Sequence, residues 1–220
     1  MSNGSKTTWQ LIFVPAVITL IVTIVRLIGE LNQWSSKLFN REAGGPMAII
    51  GIVWLIPIFG IYFALKLAGQ GQGPASKGKA IGLEILGLIV AFGAVMLSFS
   101  PKLQFAGKEY VGYLIMIICW FIFMAAWSDL GKTLLAYGYA ARIPVLIVML
   151  IAMIRNWTTH YNAFPPEEFP LTSTFGFKFW HGAVLPQMIF WITFTMAVGG
   201  LFGIITALFT KKPAGTTQTA

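Results

Sequence analysis

Charged residues are scarce in this chain, and their scarcity excludes most water-soluble proteins. Only 10% of the 220 residues are Asp, Glu, Lys or Arg, and only 7 are acidic. A soluble domain has about 25% charged residues, enough to cover a surface that faces water. With 57% hydrophobic residues and a mean hydropathy of +0.77, the composition predicts an all-α integral membrane protein.

Cysteine and histidine are also rare, which limits the chemistry that the chain can carry. The single cysteine, Cys119, lies inside an apolar run, so no disulfide can form within the chain. The two histidines match no zinc-binding spacing, and the sequence contains no Ser-His-Asp order or other nucleophile motif. We therefore expect no catalytic residue and no cofactor, and the sequence favours a protein that is not an enzyme.

Basic residues outnumber acidic ones, 15 to 7, but their pattern does not predict a nucleic-acid partner. They stand singly at the ends of apolar runs and form neither a basic helix nor a basic stripe. Basic residues in such positions anchor helices to lipid headgroups. We expect the lipid bilayer, and no nucleic acid, to be the partner of this charge.

The abundant feature is a set of apolar runs of roughly 20 residues, each long enough to cross a hydrocarbon core of about 30 Å. They predict one transmembrane helical domain over residues 1–210, followed by a disordered polar tail at 211–220. The predicted spans of this six-span bundle are 9–28, 46–67, 80–99, 110–127, 133–154 and 183–209. Five spans is the alternative, because the fifth run shortens to 143–154 if Tyr137 and Tyr139 lie at the interface.

Proline and glycine interrupt the runs at defined places. Pro57 lies in the middle of the second run and Pro144 inside the fifth. Each removes a backbone hydrogen bond, so we expect kinked helices at both positions. Residues 69–79 are rich in glycine and predict a flexible linker between the second and third spans.

An even number of spans places both termini on the same side of the membrane. The positive-inside rule does not decide which side, because the basic residues divide seven against seven, with Arg142 left over. The lysines clustered in the linker and tail favour cytoplasmic termini. We expect a multi-pass protein of a plasma membrane, or of an inner membrane if the source is bacterial.

Arg142 is the most informative charged residue, because it falls well inside the fifth run. A charge at such a depth costs about 2.5–3.5 kcal/mol and marks a functional site by default. One interpretation is a polar cavity, lined by Tyr137 and Tyr139, in which Arg142 accepts an anion. The alternative, which we favour, is an arginine near a span boundary that reaches the headgroups or pairs with Glu84.

Three further ionisable residues lie in or beside predicted spans. Arg26 and Glu30 are four residues apart, so they can pair on one helix face where the first span ends. Glu84 lies one turn inside the third span and can pair with Arg142 or Lys79. If Glu84 is deep and unpaired, it should be protonated, and a proton relay becomes the alternative interpretation.

The 155–182 loop is long and rich in aromatic residues and proline. An apolar loop of this kind should lie on the headgroup layer, cap the bundle or contact a partner. His160, Glu167, Glu168 and His181 are weak candidates for a zinc set. Their spacing matches no metal-binding signature, so we expect no metal there.

Small residues recur at four-residue spacing on two spans. Gly199 and Gly203, and likewise Ala136 and Ala140, can let helices approach closely. An internal helix seam is the favoured interpretation. The alternative is a contact with a protein partner or a second copy of the chain, through these faces or through the 155–182 loop.

No motif assigns a function directly. The sequence favours a non-catalytic accessory subunit or scaffold of a membrane complex. The alternative is a small-solute transporter or channel that uses Arg142 in a kinked helix, with an anion as one class of solute. An interfacial metal-dependent enzyme built on His160 and His181 is the second alternative.

Overall fold

The computed structural model describes residues 7–45, 48–103 and 105–210, and within these ranges it contains helices and loops but no strand. The predicted polar tail, 211–220, lies outside the described residues. A 3-10 turn covers His160–Asn162. The α-helices are α1 (Thr8–Leu31), α2 (Leu55–Gly69), α3 (Lys77–Phe99), α4 (Lys108–Ala126), α5 (Ser128–Arg155), α6 (Phe175–Phe179) and α7 (Trp191–Phe209).

Within the described ranges, five helical segments are long and apolar enough to cross a membrane. They are α1, α3, α4, α5 and the 35-residue segment Phe175–Phe209 that contains α6 and α7. The sixth apolar helix, α2, is shorter, at 15 residues. These helices support a membrane location and confirm the predicted fold class, an all-α bundle of membrane-spanning type.

One end of the bundle is defined by contacts around residues 70–76. The indole Nε1 of Trp127, between α4 and α5, donates to the carbonyl of Gln72 at 2.8 Å. Lys77, the first residue of α3, donates through Nζ to the carbonyl of Leu208 near the end of α7 at 3.1 Å. The ends of α2, α4 and α7 and the starts of α3 and α5 therefore meet here, at what we call the linker end.

The opposite end is defined by two contacts of histidines. His160, which follows α5, contacts Glu30 at the end of α1, and His181 contacts Glu109 at the start of α4. We call this the loop end; it includes residues 32–45, 48–54 and 156–174. Consecutive spanning segments therefore alternate in direction, while the side of the membrane on which each end lies stays a prediction.

The predicted second span is wrong at its start. The helix begins at Leu55, and residues 48–54 form turns and bends, while residues 46 and 47 lie outside the described residues. Pro57 therefore lies in the first turn of α2, where a missing N–H leaves no helical bond unmade. The predicted kink in mid-helix at Pro57 is wrong for the same reason.

The fifth span is longer than predicted. Trp127 has extended backbone (φ −151°, ψ 97°), and α5 begins directly after it and runs for 28 residues. The fifth span is therefore not the segment that falls short. Within the described residues five helical segments are long enough to cross a membrane and α2 is the short one, so the alternative count of five spans stays a prediction. Pro144 lies inside α5, which continues on both sides of it, and the kink expected there stays a prediction.

The last span begins at Phe175, not at residue 183, so the aromatic loop is shorter than predicted. The helix passes through two wide π-helical turns, Trp180–Val184 and Pro186–Phe190. Pro186 cannot donate a backbone bond, and its ring would clash with the preceding turn of a regular α-helix. The wider turns accommodate the proline without ending the helix.

The glycines of α7 lie in a seam within the chain. A Cβ at Gly60 in α2 would lie 2.8 Å from the Cα of Gly199, so the two backbones are in direct contact. A Cβ at Gly203 would lie 2.6 Å from a methyl group of Leu130 in α5. On α5, Ala136 and Ala140 are half-buried against the same core.

Candidate functional site

Three side chains with ionisable groups meet at the loop end. Glu30 accepts a hydrogen bond from Nε of Arg26, one turn earlier in α1, at 2.8 Å. The Nδ1 of His160 lies 2.5 Å from the same carboxylate oxygen, and the backbone N–H of His160 donates to the other at 2.8 Å. The predicted Arg26–Glu30 ion pair is confirmed, and His160 joins it. We call these three residues the loop-end cluster.

Backbone carbonyls from the 32–45 segment complete the environment of Arg26. Its Nη2 donates to the carbonyls of Asn40 and Gly45, at 3.2 and 3.3 Å. Gly45 has a φ of +55°, and a Cβ there would overlap the guanidinium. The cluster therefore fastens two loops to the end of α1.

Burial decides the protonation of the groups beside Glu30. Burial lowers the pKa of His160, although the neighbouring carboxylate acts in the opposite direction. Burial also raises the pKa of Tyr161, whose hydroxyl donates to the carbonyl of Thr23 at 3.4 Å. Both side chains are neutral near pH 7, so one positive charge, on Arg26, faces one negative charge, on Glu30.

Arg142 lies deep inside the bundle. It stands 14 residues after the start of α5 and 13 before its end, about 20 Å from each. The residue is only 4% exposed. Its Nη1 donates to Oε1 of Gln187 at 3.4 Å, and its Cζ lies 4.3 Å from the ring centre of Trp191.

The favoured interpretation of Arg142, an arginine near a span boundary that reaches the headgroups or pairs with Glu84, is wrong. Arg142 is at the middle of α5, far from either end of the helix, and its hydrogen-bond and cation–π partners are an amide and an indole. Of the two tyrosines expected beside it, Tyr137 is buried and shares a hydrogen bond with Thr19 at 2.8 Å. Tyr139 packs edge-on against Trp120, with ring centres 6.2 Å apart.

The wide turns of the last span determine what faces Arg142. Gln187 belongs to the second π-helical turn, and Trp191 begins α7 directly after it. Because a π-helical turn holds more residues than an α-helical turn, it changes which side chains face α5. The irregular stretch around Pro186 thus supplies both partners of Arg142.

Glu84 is buried in the half of the bundle near the linker end, and it is 2% exposed. Within the described residues it forms no ion pair, and its Oε1 has no hydrogen-bond partner. Neither basic residue predicted as a partner, Arg142 or Lys79, pairs with it. Its carboxylate instead packs on the backbone of α7, since a Cβ at Gly200 would lie 2.8 Å from Oε1.

The weak zinc candidates are not brought together. His160 contacts Glu30, whereas Nδ1 of His181 lies 3.0 Å from Glu109. Glu167 and Glu168 are exposed in the loop. In the part of the chain that the structure describes, no three His, Cys, Asp or Glu side chains are placed to hold a metal ion. The alternative of an interfacial metal-dependent enzyme depended on His160 and His181 lying at one site, and they do not.

The sequence interpretation missed Gln187 and Gly200 altogether. The signal that could have found Gln187 is its polarity, since an amide next to Pro186 inside an apolar run needs a partner. Gly200 follows Gly199 but is not part of the four-residue spacing of Gly199 and Gly203, so no sequence pattern indicated a contact for it.

The described arrangement offers a deep, fixed positive charge and an isolated carboxyl group, the former in the middle of the bundle and the latter nearer the linker end. The first can bind an anion and the second can bind a proton. Comparisons with protein-family models, with curated proteins and with solved structures find no match to this chain.

Proposed function

We propose that this protein is a multi-pass membrane transporter of a small anion, and that Arg142 binds the anion inside the bundle. The observation that carries the proposal is the guanidinium at the middle of α5, which faces an amide and an indole and, among the described residues, no carboxylate. Intramembrane charges of this kind mark substrate and ion pathways.

The energetics of Arg142 support a role for an anion. A charge at the centre of a spanning helix costs about 2.5–3.5 kcal/mol, even after the local rearrangements that insertion allows. The contact with Trp191 offsets about 0.5–2 kcal/mol of this. The bond to Gln187 offsets about 1 kcal/mol, at a length near the upper limit for hydrogen bonds. A bound anion supplies the counter-charge that these neutral partners lack.

The geometry of the guanidinium indicates the class of anion. Arginine has five N–H donors in a planar fork that matches the two oxygens of a carboxylate or phosphate. Within the described residues, one hydrogen bond of Arg142 is made, to Gln187. We therefore propose a small carboxylate or phosphate as the substrate class.

The test is anion uptake into proteoliposomes, with acetate, phosphate and chloride as probes. We expect the wild-type chain to take up acetate or phosphate faster than chloride. Replacing Arg142 by Gln should reduce this uptake at least tenfold, because the positive charge is lost. The matched control is Arg155→Gln, since Arg155 is exposed at the end of α5.

Two results contradict the proposal. One is uptake by the folded Arg142→Gln variant equal to that of the wild type. The other is wild-type uptake no greater than that of protein-free liposomes for all three probes.

An accessory subunit of a membrane complex is the second candidate. The observation that favours it is Leu171, which is 98% exposed in the aromatic loop at the loop end. An apolar side chain so exposed suits contact with another protein or with the headgroup layer. The mass of the detergent-solubilised particle tests this candidate, since a subunit should co-purify with further chains and Leu171→Glu should release them.

A further inference from the structure

Glu84 is an acidic residue that is buried among apolar side chains. It is seven residues into α3, about 10 Å along the helix from the linker end. This position lies inside α3 but short of the middle of the helix. Arg142, by comparison, is about twice as far from either end of its helix.

The crevice around Glu84 is built from α4, α5 and α7. Its walls include Phe123 and Trp127 from α4 and the residue after it, Leu134 from α5, and Met196 and Gly200 from α7. Among the described residues that line the crevice beside Glu84, none is charged or titratable. A carboxylate that is isolated in apolar surroundings is costly, and the group takes up a proton instead of remaining charged.

The same walls exclude a metal or alkali ion as the natural ligand. A hard cation such as Ca²⁺ needs about six to eight oxygen ligands. In the part of the chain that the structure describes, the side chains that line this crevice supply only the two carboxylate oxygens of Glu84. A proton is the cation that a single carboxyl group can bind alone.

We infer that Glu84 is a reversible proton-binding site of the bundle, which exchanges its proton with the linker end. In the reaction the carboxylate and one proton give a neutral carboxyl group, and one negative charge leaves the interior. This inference does not depend on anion transport. Coupling of the proton on Glu84 to an anion on Arg142 is a further step, and that step rests on the proposed function.

The backbone of α7 makes the site sensitive to a single methyl group. A Cβ at Gly200 would lie 2.8 and 2.9 Å from the two oxygens of Glu84, so Gly200→Ala must displace the carboxyl group. Gly82, two residues before Glu84 on α3, has no atom within 4 Å of an added Cβ. The pair of variants therefore separates an effect on the carboxyl group from a general effect of alanine in a helix.

The experiment is infrared difference spectroscopy of the full chain in lipid nanodiscs, titrated from acidic to alkaline pH without added organic anion. We expect the wild type to show the C=O stretch of a protonated, buried carboxyl group, which disappears on titration. Glu84→Gln should lose this band, and Glu167→Gln, in the exposed loop, should keep it. Gly200→Ala should shift the midpoint of the titration, and Gly82→Ala should leave it in place.

The inference is overturned if the band persists in Glu84→Gln, or if the wild type shows no such band. A band that never titrates overturns it too, because the proton is then fixed and not exchanged. Should Glu84→Gln fail to fold, Gly200→Ala and Gly82→Ala decide, since equal midpoints in the two would exclude Glu84. No outcome here depends on uptake of an anion, so failure of the proposed transport would leave the spectra unchanged.

Discussion

The loop-end cluster and the interior of the bundle both bury ionisable side chains, but the two regions treat charge in opposite ways. At the loop end, Glu30 lies between Arg26 and His160. One of its oxygens accepts a hydrogen bond from Arg26, and the other accepts one from the backbone N–H of His160. In the interior, Glu84 and Arg142 have neutral surroundings and do not pair with each other. The first region balances its charge internally, and the second does not.

The difference separates structural charge from charge that is available for binding. A balanced cluster fixes the positions of the chains that supply it, and here it fastens two loops to α1. A buried ionisable group without a counter-charge is stabilised by a bound ion of opposite charge. That ion is an anion for Arg142 and a proton for Glu84, as we propose above. Depth in the bundle alone would not have distinguished the two cases.

The largest effect is expected from breaking the balanced cluster. Glu30→Gln leaves the guanidinium of Arg26 without its counter-charge in a buried site, and removal of one partner of a buried pair costs about 3 kcal/mol or more. We expect the free energy of unfolding in detergent to fall by this amount. The control is Glu167→Gln, which should change it little, and a loss no greater than that of the control would contradict a structural role for the cluster.

A smaller loss is expected where packing, not charge, holds the carboxyl group. Gly200→Ala inserts a methyl group against Glu84, and overpacking of this kind costs about 1–3 kcal/mol. Gly82→Ala on the open face of α3 should stabilise the helix by up to about 1 kcal/mol. Denaturant unfolding of the two variants checks the sign, and equal effects would mean that Gly200 does not constrain Glu84.

Glu84→Gln should change the free energy of unfolding by less than about 1 kcal/mol. The introduced glutamine has nearly the shape of a protonated glutamate, and no ion pair is lost. The direct comparison with Glu30→Gln is the sharpest form of the contrast, since the chemical change is identical. Unfolding curves of the two variants under the same conditions measure it. A loss at Glu84 as large as that at Glu30 would show that Glu84 has a charged partner.

The smallest effect is a pH dependence that comes from His160. Because burial lowers the pKa of His160 below its ordinary value of 6.5, the unfolded chain takes up a proton more readily than the folded chain. Stability should therefore be fully present above that value and decline as the pH falls below it. His160→Gln should flatten this part of the pH profile, whereas an unchanged profile would assign the dependence to another group.

Much of the fold was predictable because long apolar runs leave few alternatives to a spanning helix. The Arg26–Glu30 pair was predictable as well, since four-residue spacing is a local signal. The start of α2 was not, because hydropathy does not distinguish an apolar helix from apolar turns such as residues 48–54. The start of the last span was hidden by Pro186, which is typical of a helix end but is accommodated here by wide turns.

The candidate site was harder to predict because its contacts join distant parts of the chain. His160 and Glu30 are 130 residues apart, and Arg142 and Gln187 are 45 apart. Sequence spacing places Arg142 and Glu84 inside spans, but it does not give the faces on which they lie. Those faces depend on how the helices pack. The face on which Gln187 lies also depends on a π-helical turn that no residue pattern predicted.

The most direct test of the central claim, that Arg142 lacks a counter-charge which an anion supplies, is thermal unfolding at increasing anion concentration. The wild type in detergent should be stabilised by acetate or phosphate, by about 2.7 kcal/mol at a hundred times the dissociation constant. Arg142→Gln should fold and show no such response, while Arg155→Gln should respond like the wild type. Equal stabilisation of the wild type and Arg142→Gln, or none in the wild type, would contradict the claim.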